Sequence, residues 1–211
     1  MIGDDFLDTA RVAARFLRHP AVARAWPEPS ALPEFSVGGL AGHLAYQVLA
    51  LPRILDAPVP AEPTIGLLDH YAHVAWIGAD LDADINVRIR DSGEETAAEG
   101  PKALAGAVDA AIIGLAVSLA ATPIERPVRI PLWGPWSLTL EDLLVTRMME
   151  LAVHSDDLAV SIGVPTPRLS ESSVDIVLRL LTRLAARRHG PTAVMRSLSR
   201  AERAPKSIAA F

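Results

Sequence analysis

Arg147-Met148-Met149-Glu150-Leu151-Ala152-Val153-His154-Ser155-Asp156-Asp157-Leu158 is the stretch on which the reading of this chain turns. On a helix, residues three and four apart share a face, so Arg147, Glu150, His154 and Asp157 form one polar line. Leu144, Met148, Leu151 and Leu158 flank that line. A polar stripe among Leu and Met is costly to bury unless its members are paired or bound to something. Thr139 with Asp142 resembles a capping box on one side, and Gly163 and Pro165 close the segment on the other. The spacing therefore predicts a helix over 140–162.

Outward from this helix the chain reads as more of the same. Phe6, Leu7, Ala10, Ala13, Ala14 and Leu17 recur at helical spacing and predict a first helix over 4–18, ended by His19-Pro20. Ser36 is the expected N-cap of a second, running to about Asp56, with Pro52 kinking its last turn. Thr64 is expected to cap a third through Leu81. Residues 84–98 are polar and read equally as a short helix or a loop. Residues 101–121 are apolar on nearly all sides and predict a long, central helix. Val128 to Leu138, interrupted by Pro131 and Pro135, predicts a short edge-like hairpin. Ser170 or Ser172 opens a last long helix through Arg188, and a shorter one follows from 191. Half of the residues are hydrophobic, with Ala and Leu dominant and aromatics few, which favours helices packed on helices. The expected fold class is thus mainly all-α.

Composition narrows the chemistry. The chain has no cysteine, so a metal must be held by His, Asp or Glu, and any thiol in the chemistry comes from outside. The acidic start, Met1 to Asp5, does not resemble a secretory signal, and Asp109 interrupts the most apolar stretch, Ala103 to Ala121. A cytoplasmic protein with no membrane partner is expected. Residues 168–211 carry nine Lys/Arg against three Asp/Glu, while the rest of the chain is acidic. That tail reads either as an anion-binding surface or as a solvated face complementing the acidic body. No recognition-helix motif accompanies it, so no nucleic-acid partner is expected.

Glu150 and His154, four residues apart, suit a divalent metal, since both side chains reach one point from adjacent turns; a plain Glu–His surface pair is the alternative. His43, in Ser36-Val37-Gly38-Gly39-Leu40-Ala41-Gly42-His43-Leu44, shares the core-facing stripe of Leu40, Gln47, Ala50, Leu51 and Ile54. Gly39 and Gly42 leave room beside it for another helix or a ligand. Among the other histidines, His70 and His73 offer a fourth ligand or a proton shuttle, or a partly exposed pair. His19 and His189 are read as cations at helix ends. Trp133 and Trp136 are expected to cover the bundle core.

The Ser36–Leu44 helix start, followed a hundred residues later by Arg147-x-x-Glu150-x-x-x-His154-x-x-Asp157-Leu158, resembles the metal-binding domain of mycothiol-dependent maleylpyruvate isomerases, within the DinB-like group of four-helix bundles. The resemblance implies a DinB-like bundle over residues 1–165. It implies that His43, Glu150 and His154 occupy the three metal-ligand positions, with zinc or another divalent ion as cofactor. Asp157 belongs to the same motif and either orients the His154 ring or makes an ordinary surface or backbone contact. Arg147 is expected to pair with Glu150 or Asp157, the alternative being an anionic substrate. Residues 166–211 are expected to form a short helical extension packed on the bundle, where the family's named isomerase has an α/β domain.

Three protein ligands leave zinc an open position, the pattern of a catalytic site. The leading expectation is an enzyme activating a small thiol, mycothiol by resemblance, for isomerisation or S-transfer on a small electrophilic substrate. A non-catalytic metal- or small-ligand-binding module is the alternative, and a bundle without metal is a third. A homodimer is an open option for the apolar helices.

Overall fold

The computed structural model covers residues 1–211 and is mainly helical. In chain order the helices are α1 (Ile2–Leu17), α2 (Pro20–Arg24), α3 (Val37–Leu49), α4 (Leu51–Asp56), α5 (Leu67–His73), α6 (Asp84–Ala97), α7 (Pro101–Ala121), α8 (Leu140–Ile162), α9 (Glu171–His189) and α10 (Pro191–Ser199). Strands β1 (Pro127–Val128) and β2 (Leu138–Thr139) pair antiparallel just before α8, with Pro127 opposite Thr139.

Helices α1, α3, α7 and α8 pack on one another as the four members of the bundle, with α6 laid along α3 and α9 against α8 and α1. The core is continuous through them. Phe6, Leu40, Leu44, Leu51, Leu115, Leu143, Leu144, Met148 and Leu151 are all essentially inaccessible. Burying each such side chain is worth roughly 1.5–3 kcal/mol against leaving it in water, and this offsets the entropy of ordering the chain.

Local signals set the helix ends. Ser36 Oγ accepts from Gly39 N at 2.8 Å, Thr139 Oγ1 from Asp142 N at 3.1 Å and Ser170 Oγ from Ser173 N at 3.2 Å. Each satisfies one of the orphan donors of a first turn. Gly163 closes α8 in the left-handed conformation, with φ 66°.

Several expectations are corrected. The helix anticipated over 36–56 is divided at Ala50 into α3 and α4, because Pro52 lies in the first turn of a new helix. The helix anticipated from Thr64 to Leu81 is only α5. Thr64 is instead drawn to Ser137, with the two hydroxyls 2.9 Å apart and a backbone bridge between the residues. The ambiguous segment 84–98 is a full helix, α6.

Helix α6 owes its position to glycine. A methyl group at Gly42 would collide with the Gly93 carbonyl, and one at Gly93 with the carbonyl of Gly39. The two backbones therefore approach more closely than any side chain allows. Ser36 Oγ also donates to Glu94 Oε1 at 2.7 Å, tying the start of α3 to α6.

Helix α7 is long and apolar enough to cross a bilayer by length and composition, yet it lies against α1, α3 and α4. It is not central. Leu104, Val108, Ile112 and Leu115 face the core, while Ile113 and Val117 stand 72% and 73% exposed. Asp109, which interrupts its apolar run, pairs with Arg18 of the α1 C-cap.

Candidate metal centre

Helix α8 carries Glu150 and His154 one turn apart on its inner face, and α3 brings His43 to the same point. His154 Nε2 lies 3.0 Å from Glu150 Oε2, and His43 Nε2 lies 3.8 Å from the same oxygen. The two imidazoles meet edge to face, their ring centres 4.7 Å apart. One ligand atom from each residue falls within 4.8 Å of the others. Metal–ligand bonds of about 2.0–2.1 Å in a tetrahedral site place ligand atoms roughly 3.3 Å apart. Two imidazole nitrogens and a carboxylate oxygen at these separations fit a zinc-like ion with small side-chain adjustments.

His154 is oriented by its other nitrogen, since Nδ1 lies 2.9 Å from Asp157 Oδ2. A carboxylate behind the ring fixes which nitrogen faces the centre and raises its basicity. The electrostatics follow from these contacts. Burial alone pushes His154 down, but the hydrogen bonds to Asp157 and Glu150 outweigh it and lift the imidazole to about 9. Burial alone pushes Glu150 up, but the hydrogen bond from His154, the His43 ring 3.8 Å away and the nearby Arg147 charge hold it well below the usual carboxylate range. His43 is lowered, mainly by burial. The cluster is a carboxylate facing an imidazolium, and a cation bound there would displace that proton.

The cluster forms part of the wall of a cavity of about 280 Å³. Helix α3 contributes Gln47 and Tyr46, α6 contributes Ile85, Asn86, Ile89 and Ser92, and α8 contributes Arg147 and Met149. Trp133, beside the hairpin, lines it together with Trp76 and Phe211. A cavity of this kind, mostly apolar with a few polar groups converging at one end, is the usual form of a small-molecule site.

Arg147 does not pair with Glu150 or Asp157, as expected from its spacing. Its Nη1 donates to Gln47 Oε1 and its Nε to Thr146 Oγ1 at 3.1 Å. The side chain turns across to α3 instead of running along α8, and it is 7% exposed. Gln47, which reads simply as part of an apolar stripe, proves to be the clamp. It holds Arg147 by its oxygen, and its nitrogen donates to the His43 carbonyl at 2.9 Å.

Neither His70 nor His73 joins the cluster. His70 is 2% exposed, its Nδ1 accepts from Trp136 Nε1 at 3.1 Å, and burial lowers it to about 4. His73 is exposed, with Nδ1 2.6 Å from the Asp69 carbonyl. His19 turns to the next helix, where its Nδ1 accepts from Ala21 N and caps α2. Trp136 is buried, and Trp133 packs against the core as expected while also lining the cavity. The contribution of α6 to the cavity was not legible in the sequence; the glycine pair Gly39 and Gly42 is its one signal.

Residues 6–159 match the family described as the mycothiol maleylpyruvate isomerase N-terminal domain. The chain belongs to this family. The match takes in all of His43, Glu150, His154 and Asp157, and it ends just past the motif that α8 carries. No curated protein and no solved structure matches the chain. For a member of the mycothiol maleylpyruvate isomerase N-terminal domain family, the DinB-like bundle and a candidate triad of His43, Glu150 and His154 are both in place.

Proposed function

We propose that this protein is a metal-dependent enzyme that activates a small thiol, mycothiol in keeping with its family, for isomerisation of or S-transfer to a small electrophile. The observation that carries the reading is the convergence of three metal-ligand side chains on the wall of a mainly apolar cavity. A metal with a purely structural role is ordinarily enclosed by four protein ligands, whereas three ligands beside open space are the catalytic pattern. When bound, a zinc ion here supplies a Lewis acid that lowers the pKa of a thiol or water in its open position.

The chain's own residues do the rest. Asp157 holds the His154 ring in one orientation. Glu150 supplies the negative charge that favours a cation at the centre. The apolar walls from Ile85, Ile89 and Leu132 thin out water around the reacting atoms, which strengthens every charge interaction inside. The absence of cysteine fits a thiol that enters as a cosubstrate.

The test is titration of mycothiol into the zinc-loaded protein by isothermal calorimetry, beside metal analysis of the protein as purified. Saturable binding to the native protein and its loss in His154→Ala are expected. Equal binding to both would remove the reading.

A further inference from the structure

Helix α6 is the most weakly held wall of the cavity. Its only buried residues are Gly93 and Ala97, where it meets Gly39 and Gly42 of α3. A seam of glycine and alanine buries little apolar surface and interlocks no side chains. Parting it costs far less than drawing leucines out of a core. Ile85 and Ile89 line the cavity, yet neither joins the hydrophobic core. Asp84, Asp91 and Glu95 of the same helix stand exposed to solvent.

The segment around α6 is tied mainly to itself. Asn86 Nδ2 donates to the Asp80 carbonyl at 2.8 Å and Arg90 Nη1 to the Leu81 carbonyl at 2.7 Å, so the loop before the helix travels with it. Gly78 and Gly100 bound this unit with φ of 76° and 85°, in the left-handed region that glycine enters freely. Between these two glycines no ion pair reaches the rest of the molecule. One side-chain hydrogen bond does, from Ser36 Oγ to Glu94 Oε1 at 2.7 Å.

We propose that residues 79–99 are a lid, hinged at Gly78 and Gly100, that parts from α3 to admit an apolar molecule and closes Ile85 and Ile89 over it. A rigid element swinging between a few permissive residues is the common build of such lids. The Ser36–Glu94 bond is the latch. Ser36 is already fixed by capping α3, where its Oγ accepts from Gly39 N at 2.8 Å, so Glu94 closes onto a preset donor. Closure shuts water out of the cavity whose wall carries His43, Glu150 and His154. The lid stands on α6 and its two hinges and needs neither the metal nor the thiol.

A chain without cysteine accepts a reversible lock. A Cβ added at Gly39 would stand 3.3 Å from Glu94 Cγ, the place a cysteine sulfur would take, which suits a disulfide with Cβ atoms roughly 3.5–4.5 Å apart. The neutral apolar dye prodan is mixed in stopped flow with purified Gly39→Cys/Glu94→Cys and with the native protein, without added zinc or thiol cosubstrate. Association is expected to be at least about tenfold slower in the oxidised variant than in the same variant reduced, and to recover with dithiothreitol. If the disulfide does not form, a short bis-alkylating cross-linker joins the same two thiols. Hydrogen exchange of the native protein is the second measurement. The α6 amides are expected to exchange together and ahead of those of α3 and α8. Equal association rates in the locked and unlocked forms, no saturable dye uptake by the native protein, or α6 amides as protected as those of α8 overturns the proposal. Because mycothiol enters none of these measurements, their failure leaves the mycothiol titration untouched, and failure of that titration leaves these intact.

Discussion

At the scale of single residues, the chemistry depends on what stands behind each functional side chain. Asp157 is 2.9 Å from His154 Nδ1 and touches no other candidate ligand. Asp157→Asn is therefore expected to leave the fold intact and weaken zinc affinity by about 10–100-fold, measured by competition with a chromophoric chelator. His70 makes a different prediction. Burial, then the nearby Arg147 charge, lowers it to about 4, and Trp136 donates into its unprotonated Nδ1. Above its ordinary value of 6.5 the ring is neutral in both folded and unfolded chains and contributes nothing to pH dependence. As pH falls from there, the unfolded chain takes up a proton that the folded protein refuses, so stability drops. The loss reaches on the order of 3 kcal/mol by pH 4. Urea midpoints at pH 7 and pH 4.5 are expected to differ less in His70→Asn than in the native protein. Equal differences would show that another group governs the acid limb.

Among the elements, α6 and α8 contrast in how they are encoded. Helix α8 is written into its own residues, with Thr139 capping one end, Gly163 stopping the other and the motif between. Helix α6 is not, because its polar residues leave helix and loop equally matched. What holds it is the meeting of Gly93 with Gly39 and Gly42 on α3. Gly42→Ala is expected to destabilise the protein by about 1–3 kcal/mol through overpacking, and to disturb the cavity wall that α6 supplies. Gly106→Ala and Gly114→Ala in α7, where an added methyl meets nothing within 4 Å, are expected to stabilise it by up to about 1 kcal/mol. Chemical denaturation of the three variants checks both signs. The same contrast explains the short α5: Thr64 has the right side chain for a cap, but Ser137, distant in sequence, claims it.

Across the whole molecule, the cavity is assembled from segments that the chain order keeps apart. The last of them is residue 211. Phe211 reaches the lining beside Trp76, ring centres 5.0 Å apart, and Tyr71 at 5.8 Å. The segment leading to it is held where His189 Nε2 meets the Ala209 carbonyl at 2.8 Å. Phe211→Ala is expected to open the cavity, shift tryptophan emission to the red and leave zinc stoichiometry unchanged. A loss of zinc in that variant would mean that this segment supports the metal centre as well as the wall.

Helices α1, α7, α8 and α9, the caps at Ser36 and Thr139, the short hairpin and the closeness of Glu150 to His154 were legible in the amino-acid order. Each depends on residues within a turn or two of one another, where spacing and capping chemistry decide the outcome. Packing alone settled the rest: how closely α6 approaches α3, that Trp133 faces the cavity, and that Arg147 meets Gln47 and no carboxylate. These contacts join residues up to a hundred positions apart, and their partners are chosen by shape, burial and the need to satisfy every buried polar group at once. No local window of sequence contains that competition.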